Sequence, residues 1–168
     1  MAVIDQTASI LSTDLLARVA SRAAAYDRDN RFFQEDFDEL KAAGYLLVGV
    51  PKAFGGGGLN LAEICKLQAT LAYAAPATAL AVNMHLCWTG IAADLHRGGD
   101  HSLDWLLKEA AAGEVFAAGH GERGNDLPVL LSSATAERVS GGYRFNGHKI
   151  FGSLTPVWTR LGTRMRWT

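Results

Sequence analysis

Cysteine is nearly missing from this chain: Cys65 and Cys87 are the only two, and they form no CxxC. Neither a disulfide framework nor a thiolate metal knuckle follows from two such positions, and a reduced, cytoplasmic setting is the expectation. Charge of one sign is also missing, with 16 Lys+Arg against 17 Asp+Glu for a net of −1. Such a balance exerts no long-range pull on nucleic acid or on an anionic membrane, so neither is expected as a partner. The longest apolar stretches, around 71–82 and 110–118, are too short or too interrupted to span a bilayer. The first residues carry Asp5 and Asp14 and lack both a basic, then apolar, leader and an Arg-rich transit pattern. What remains is a 168-residue chain, 49% hydrophobic and 20% charged, long enough to build a core.

Several patterns of chemistry are missing too. Gly55–Gly58 has no Lys-Ser/Thr after it and is no phosphate loop; it reads as a flexible connection rather than a ligand contact. No GxSxG surrounds Ser102, Ser132, Ser133 or Ser153, which argues against a serine nucleophile. His85, Cys87, His96 and His101 match no tight ligand spacing, and His or Cys in an apolar helix is more often core, so no metal site is expected. Gly119-His120-Gly121-Glu122-Arg123-Gly124 fits GxGxxG, but Pro128 and a strand pattern follow where a dinucleotide fold needs a helix. The acidic run Glu35–Glu39 reads as a solvated helix face.

The apolar residues present change period once. Up to about residue 114 they recur every three to four positions. Helices are predicted over 8–29 (Leu11, Leu15, Val19, Ala23, Tyr26, with Ser12 or Thr13 as N-cap) and 33–43 (Phe33, Phe37, Leu40, ended by Gly44). Others are predicted over 60–74 (Asn60 cap; Ile64, Leu67, Leu71 inward), 78–95 and about 101–112. The helix over 78–95 is apolar nearly all round and should lie at the centre of a bundle. From about 115 the period is two, predicting strands at 115–118, 132–138, 143–145 and 148–153, with hairpin turns at Gly141-Gly142 and Asn146-Gly147. The class is α+β: an N-terminal helical bundle over 1–114, then a partial antiparallel β domain over 115–168. Arg164–Thr168 shows no turn, cap or closing strand, so the second domain reads as incomplete.

Alternation along a strand would place Phe151 and Ser153 on one face, where a ring and a hydroxyl could receive a flat heteroaromatic ligand. On the residues alone, ordinary core packing accounts for them as well.

Four stretches, in order, resemble the acyl-CoA dehydrogenase superfamily. They are Phe37–Leu46 leading to Val50-Pro51, Phe54-Gly55-Gly56 with Gly58-Leu59, Trp105-Leu106 with Ala112-Gly113-Glu114, and Tyr143–Ser153 with its Asn146-Gly147-x-Lys149 core. The resemblance implies a helical domain, the start of a β domain, and a C-terminal helical domain that is absent here. It implies FAD as cofactor, with His120, Asn125, Asp126, Phe151 and Ser153 as its binding residues in this chain. The activity implied is α,β-dehydrogenation of an acyl-CoA thioester, with hydride passed to flavin N5, an electron-transfer partner and a homo-oligomer when complete. The proton-abstracting carboxylate comes from the missing domain, so no catalytic residue is expected in 1–168 and the chain alone should be inactive. Where the family has Thr-Glu-Pro and Gly-Ser-Asp, this chain has His120-Gly121-Glu122-Arg123 and Gly124-Asn125-Asp126. That departure keeps a flavin-dependent monooxygenase of the same fold as an alternative, alongside a non-catalytic remnant or helical interaction module.

Overall fold

The computed structural model describes residues 10–124 and 131–168. Two compact units divide at Glu114/Val115.

The first unit is helical. Helix α1 (Thr13–Arg28) is capped by Ser12, whose hydroxyl accepts from Leu15 N at 3.2 Å, and buries Leu15, Val19 and Tyr26. Helix α2 (Gln34–Ala42) buries Phe37 and Leu40 and stops before Gly44, whose φ of 77° is the left-handed conformation glycine adopts freely. The acidic face of α2 is not wholly solvated as the sequence suggested. Asp36 is fully buried, its carboxylate accepting from Arg22 Nε on α1 at 2.6 Å and from Thr78 Oγ1 at 3.3 Å.

Helix α3 (Leu61–Ala74) opens with a reciprocal capping box between Asn60 and Glu63 and turns Ile64, Leu67 and Leu71 inward. Pro76 does not merely break this helix. It occupies the first turn of the next, α4 (Pro76–Arg97), where its missing N–H costs nothing. Helix α4 packs against α2, α3, α5 (Asp104–Ala111) and the 3₁₀ turn Tyr45–Leu47, as its composition foretold. It is not covered all round, however: Leu80 and Ile91 stay exposed.

The glycine loop is the clearest departure from a flexible connection. A second 3₁₀ turn, Lys52–Phe54, brings the chain back so that Gly57 N donates to Leu47 O, Gly58 N to Val50 O and Leu59 N to Val48 O, all within 2.9 Å. A side chain at Gly56 would meet Val50 O at 2.1 Å, so glycine there serves close backbone approach rather than mobility.

His85 is fully buried on α4, and its Nε2–H donates to Leu46 O at 3.0 Å. Burial pulls its pKa down to about 4. The unfolded chain therefore binds a proton that the folded one refuses. Stability is complete above the ordinary histidine value and falls as pH drops from about 6.5 to about 4, by about 3 kcal/mol. Replacing His85 by Gln, which can still donate to Leu46, is expected to flatten this slope in urea titrations run across that range. An unchanged slope would show that other groups cause it.

The second unit carries the strands. Strand β1 (Phe116–Gly119) pairs in parallel with β4 (Arg160–Thr163), Phe116 opposite Arg160 and Gly119 opposite Thr163. Strand β2 (Thr135–Val139) forms an antiparallel hairpin with β3 (Gly142–Asn146) and pairs in parallel with β5 (Arg166–Trp167). The hairpin is the antiparallel part of the expected domain; the two parallel pairings come from the last residues folding back. The end segment thus contains a strand, short as it is, where the sequence suggested none.

Two further expectations fail locally. Asn146-Gly147 makes no hairpin turn: the chain crosses Ala134 so closely that a Cβ on Gly147 would lie 2.2 Å from that of Ala134. Residues 148–153 form no strand beyond a single bridge between Lys149 and Glu122, because Phe151 (φ 57°) and Leu154 (φ 66°) both take left-handed backbone. Leu154 is buried and anchors the turn, while Phe151 is 77% exposed.

Candidate active site

Around the end of β1, charged side chains are buried and interlocked. Thr163 Oγ1 donates to Gly119 O at 2.6 Å, fixing the end of β1 against β4. Three residues on, Glu122 is 6% exposed. Its Oε1 accepts from Lys149 Nζ and from Ser132 Oγ, each at 2.5 Å. Its Oε2 accepts from Ser133 N at 2.8 Å and from the Ser133 hydroxyl. Lys149 Nζ also donates to Ser132 Oγ at 3.0 Å and to Arg164 O at 2.9 Å. The Lys149 ammonium, with the two serines, holds the Glu122 carboxyl well below the usual carboxylate range. This carboxylate is an ionised structural anchor whose oxygens are both engaged.

The anchor brings the segment that holds Phe151 against Gly121, the residue after His120. Ile150 N donates to Gly121 O at 2.9 Å, and a Cβ at Gly121 would sit 3.1 Å from both Ile150 O and Phe151 Cδ2. A side chain at Gly121 would crowd the Phe151 ring, so glycine there leaves room for the ring beside the backbone. His120 is half-buried, and burial, helped by the charges of Arg164 and Lys149, lowers its pKa.

Ser153 is tied to Phe151 by backbone, its N–H donating to Phe151 O at 2.8 Å. The pair is thus linked by a tight reversal at Gly152, not by the alternation of a strand, and the same-face argument no longer applies. Asn125 and Asp126 lie outside the described residues. Sequence reasoning passed over Glu122, Lys149, Ser132 and Ser133 as a group. Glu122 and Lys149 each stood in a recognised motif, but 27 residues separate them and no spacing rule joins them.

The first unit contains a groove of about 480 Å³ between α3 and α4, lined by Leu61, Ile64, Cys65, Cys87 and Ile91 among others. Both cysteines are free and exposed. Among the described residues, no helix is long and apolar enough to cross a membrane.

Comparison with known proteins gives this geometry its context. Residues 13–114 match the family model for the acyl-CoA dehydrogenase N-terminal domain. Benzylmalonyl-CoA dehydrogenase of Aromatoleum aromaticum is 33% identical over 144 residues, covering 83% of this chain and 37% of that protein. L-evernosamine nitrososynthase of a Micromonospora species is 28% identical over 166 residues, covering 88% of this chain and 36% of that protein. Among solved structures, KijD3 in complex with FMN and dTDP-3-amino-2,3,6-trideoxy-4-keto-3-methyl-D-glucose superposes with a TM-score of 0.81. It is 26% identical over 97% of this chain and 41% of that one. The chain spans a little over a third of the length of the curated relatives it matches. Its α-then-β order, its family match and these likenesses agree: the chain belongs to the acyl-CoA dehydrogenase family.

Proposed function

We propose that this chain supplies the first part of the flavin site of an FAD-dependent enzyme that oxidises an acyl-CoA thioester at its α,β bond. Residues 1–114 serve as the helical domain and 115–168 as part of the middle β domain. The observation that carries the reading is the exposed Phe151 ring, held by a left-handed turn against Gly121 beside His120. A mostly uncovered aromatic ring on a turn fixed by buried Leu154 suits one face of a planar ring system. The isoalloxazine, when bound, supplies the hydride acceptor. His120 and Ser153 flank it as polar neighbours, and Asn125 and Asp126 complete the set through the family pattern. The Glu122–Lys149 anchor holds both segments in register and takes no part in proton transfer. The base, like the oligomer and the electron acceptor, belongs to parts of the family's architecture that this chain does not span. The setting we propose is cytoplasmic.

A second reading, a flavin-dependent monooxygenase on the same fold, draws support from the likeness to KijD3 and to the nitrososynthase, and from His120-Gly121-Glu122 replacing Thr-Glu-Pro.

In the polypeptide that carries this chain, Phe151→Ala is expected to weaken FAD binding about tenfold, read by quenching of flavin fluorescence. Its thermal midpoint should hold, because the ring contributes little burial. Equal affinity in the variant would remove Phe151 from the site. For the reaction, the polypeptide that carries this chain should reduce an electron-accepting dye when given an acyl-CoA without oxygen. Oxygen consumption with externally reduced flavin, and no acyl-CoA oxidation, would replace the first reading by the second.

A further inference from the structure

The corner between α4 and α5 gathers three donors that the flavin reading does not use. His96 lies in the last turn of α4, His101 in the connection, and Asp104 at the start of α5. His96 Nδ1 is 2.8 Å from Asp104 Oδ1, His101 Nδ1 is 3.2 Å from Asp104 Oδ2, and the two ring nitrogens stand 3.2 Å apart. It is the one trio of His, Cys or acidic side chains among the described residues whose donor atoms converge in this way.

With Asp104 ionised, no set of protons makes all three contacts hydrogen bonds. The two histidine–aspartate contacts ask each Nδ1 to donate, while the histidine–histidine contact asks one of them to accept. A cation held by all three would remove the conflict, since each atom then offers it a lone pair instead of a proton. The spacing also suits one. A tetrahedral ion with bonds of about 2.0–2.1 Å sets its ligand atoms about 3.3–3.4 Å apart, close to the two separations of 3.2 Å, and the 2.8 Å pair would open by about 0.5 Å on binding.

The ligands are held in place beforehand. Phe54 meets the His96 ring edge-on at 5.0 Å, Gly99 N donates to His96 O, and Asp100 N donates to Leu95 O. His96 and Asp104 are largely covered, whereas the His101 side chain is 63% exposed, leaving an approach from solvent.

We propose that His96, His101 and Asp104 bind a divalent transition cation of zinc's class, water taking the fourth position. Two imidazoles and a carboxylate are the ligand types zinc accepts, whereas calcium and magnesium favour all-oxygen sets. Bound there, the ion would clasp the end of α4 to the start of α5.

The test uses the full chain in a Cys65→Ser, Cys87→Ser background, which removes thiolate binding. Cobalt(II) titration should give one equivalent with the visible ligand-field bands of a four-coordinate ion, displaced by zinc. His101→Ala and Asp104→Asn should each weaken binding by about tenfold or more. The first changes an exposed ring and the second keeps the side-chain shape, and metal-free thermal midpoints check that both fold. The proposal is overturned if these variants bind cobalt as the parent does, or if the parent takes up no stoichiometric ion.

Discussion

Gly56→Ala should cost the helical unit most of its stability, seen as a collapse of the urea midpoint followed by helical circular dichroism. The new Cβ would lie 2.1 Å from Val50 O, 2.4 Å from Val50 Cβ and 2.6 Å from Val50 C. None of these atoms can move aside easily. Val50 is fully buried, and its carbonyl already accepts from Gly58 N at 2.8 Å. Ordinary overpacking costs about 1–3 kcal/mol; a clash with fixed backbone on this scale should exceed that, at about 4 kcal/mol or more. Native domains hold only about 5–15 kcal/mol in total, so the folded fraction would suffer visibly. Gly55→Ala provides the contrast. Its Cβ would meet nothing within 4 Å, and the cost is confined to the left-handed φ of 87°, about 1–2 kcal/mol. A Gly56→Ala midpoint matching that of Gly55→Ala would show that the loop yields.

Arg22→Met is the second large effect. It removes the cation from Asp36, whose carboxylate is wholly buried and keeps only the Thr78 hydroxyl, at 3.3 Å, from its former partners. Uncompensated buried charges cost about 3–5 kcal/mol; Arg22 is itself about a quarter exposed, so about 2–4 kcal/mol is the expected loss near neutral pH. Its second link, to Glu39 at 2.9 Å, lies nearer solvent and adds little.

Desolvation already raises the Asp36 pKa, and Arg22 opposes that rise. Without Arg22 the folded protein takes up the proton more readily than the unfolded chain does. The deficit should therefore narrow as pH falls from about 7 toward the carboxyl range. Adding Asp36→Asn to the variant should recover part of the loss at neutral pH. A deficit independent of pH, with no recovery in the double variant, would mean that Arg22 acts through its packing alone.

How much of this was legible depended on distance along the chain. Caps and helix faces are local: Ser12, Asn60 and Gly44 did what their positions implied, as did Ile64, Leu67 and Leu71, because one or two turns of backbone decide them. Asp36 was misread because its neighbours on α2 are polar. Its partners sit on α1 and α4, and composition carries no trace of them.

Gly56 looked like part of a flexible connection and Gly147 like a turn residue, since sequence alone does not separate a glycine that bends from one that lets another stretch of backbone pass. At the candidate site, the family pattern pointed to His120 and Phe151, and the Phe151 ring lies near Gly121, the residue after His120. The clamp that joins their segments was invisible, because Glu122 and Lys149 meet only after the chain has closed. The strand reading of 148–153 failed for a similar reason: period-two hydrophobicity cannot foresee left-handed backbone at Phe151, a residue type that seldom adopts it.

The parallel pairing of β1 with β4 has a consequence for the order in which the molecule assembles. In the helical unit, α3 and α4 adjoin in sequence and can dock as soon as both exist, which favours rapid collapse. Strand β1 has no such neighbour: the bonds that fix its two ends, Val115 to Thr159 and Gly119 to Thr163, each span 44 residues. During synthesis at about 5–20 residues per second, its edge stays unpaired for about 2–9 s after it leaves the ribosome. Through that interval the apolar run Val115-Phe116-Ala117, which the folded protein buries, is open to other chains, and a slower arrival of β4 should increase aggregation of the newborn chain.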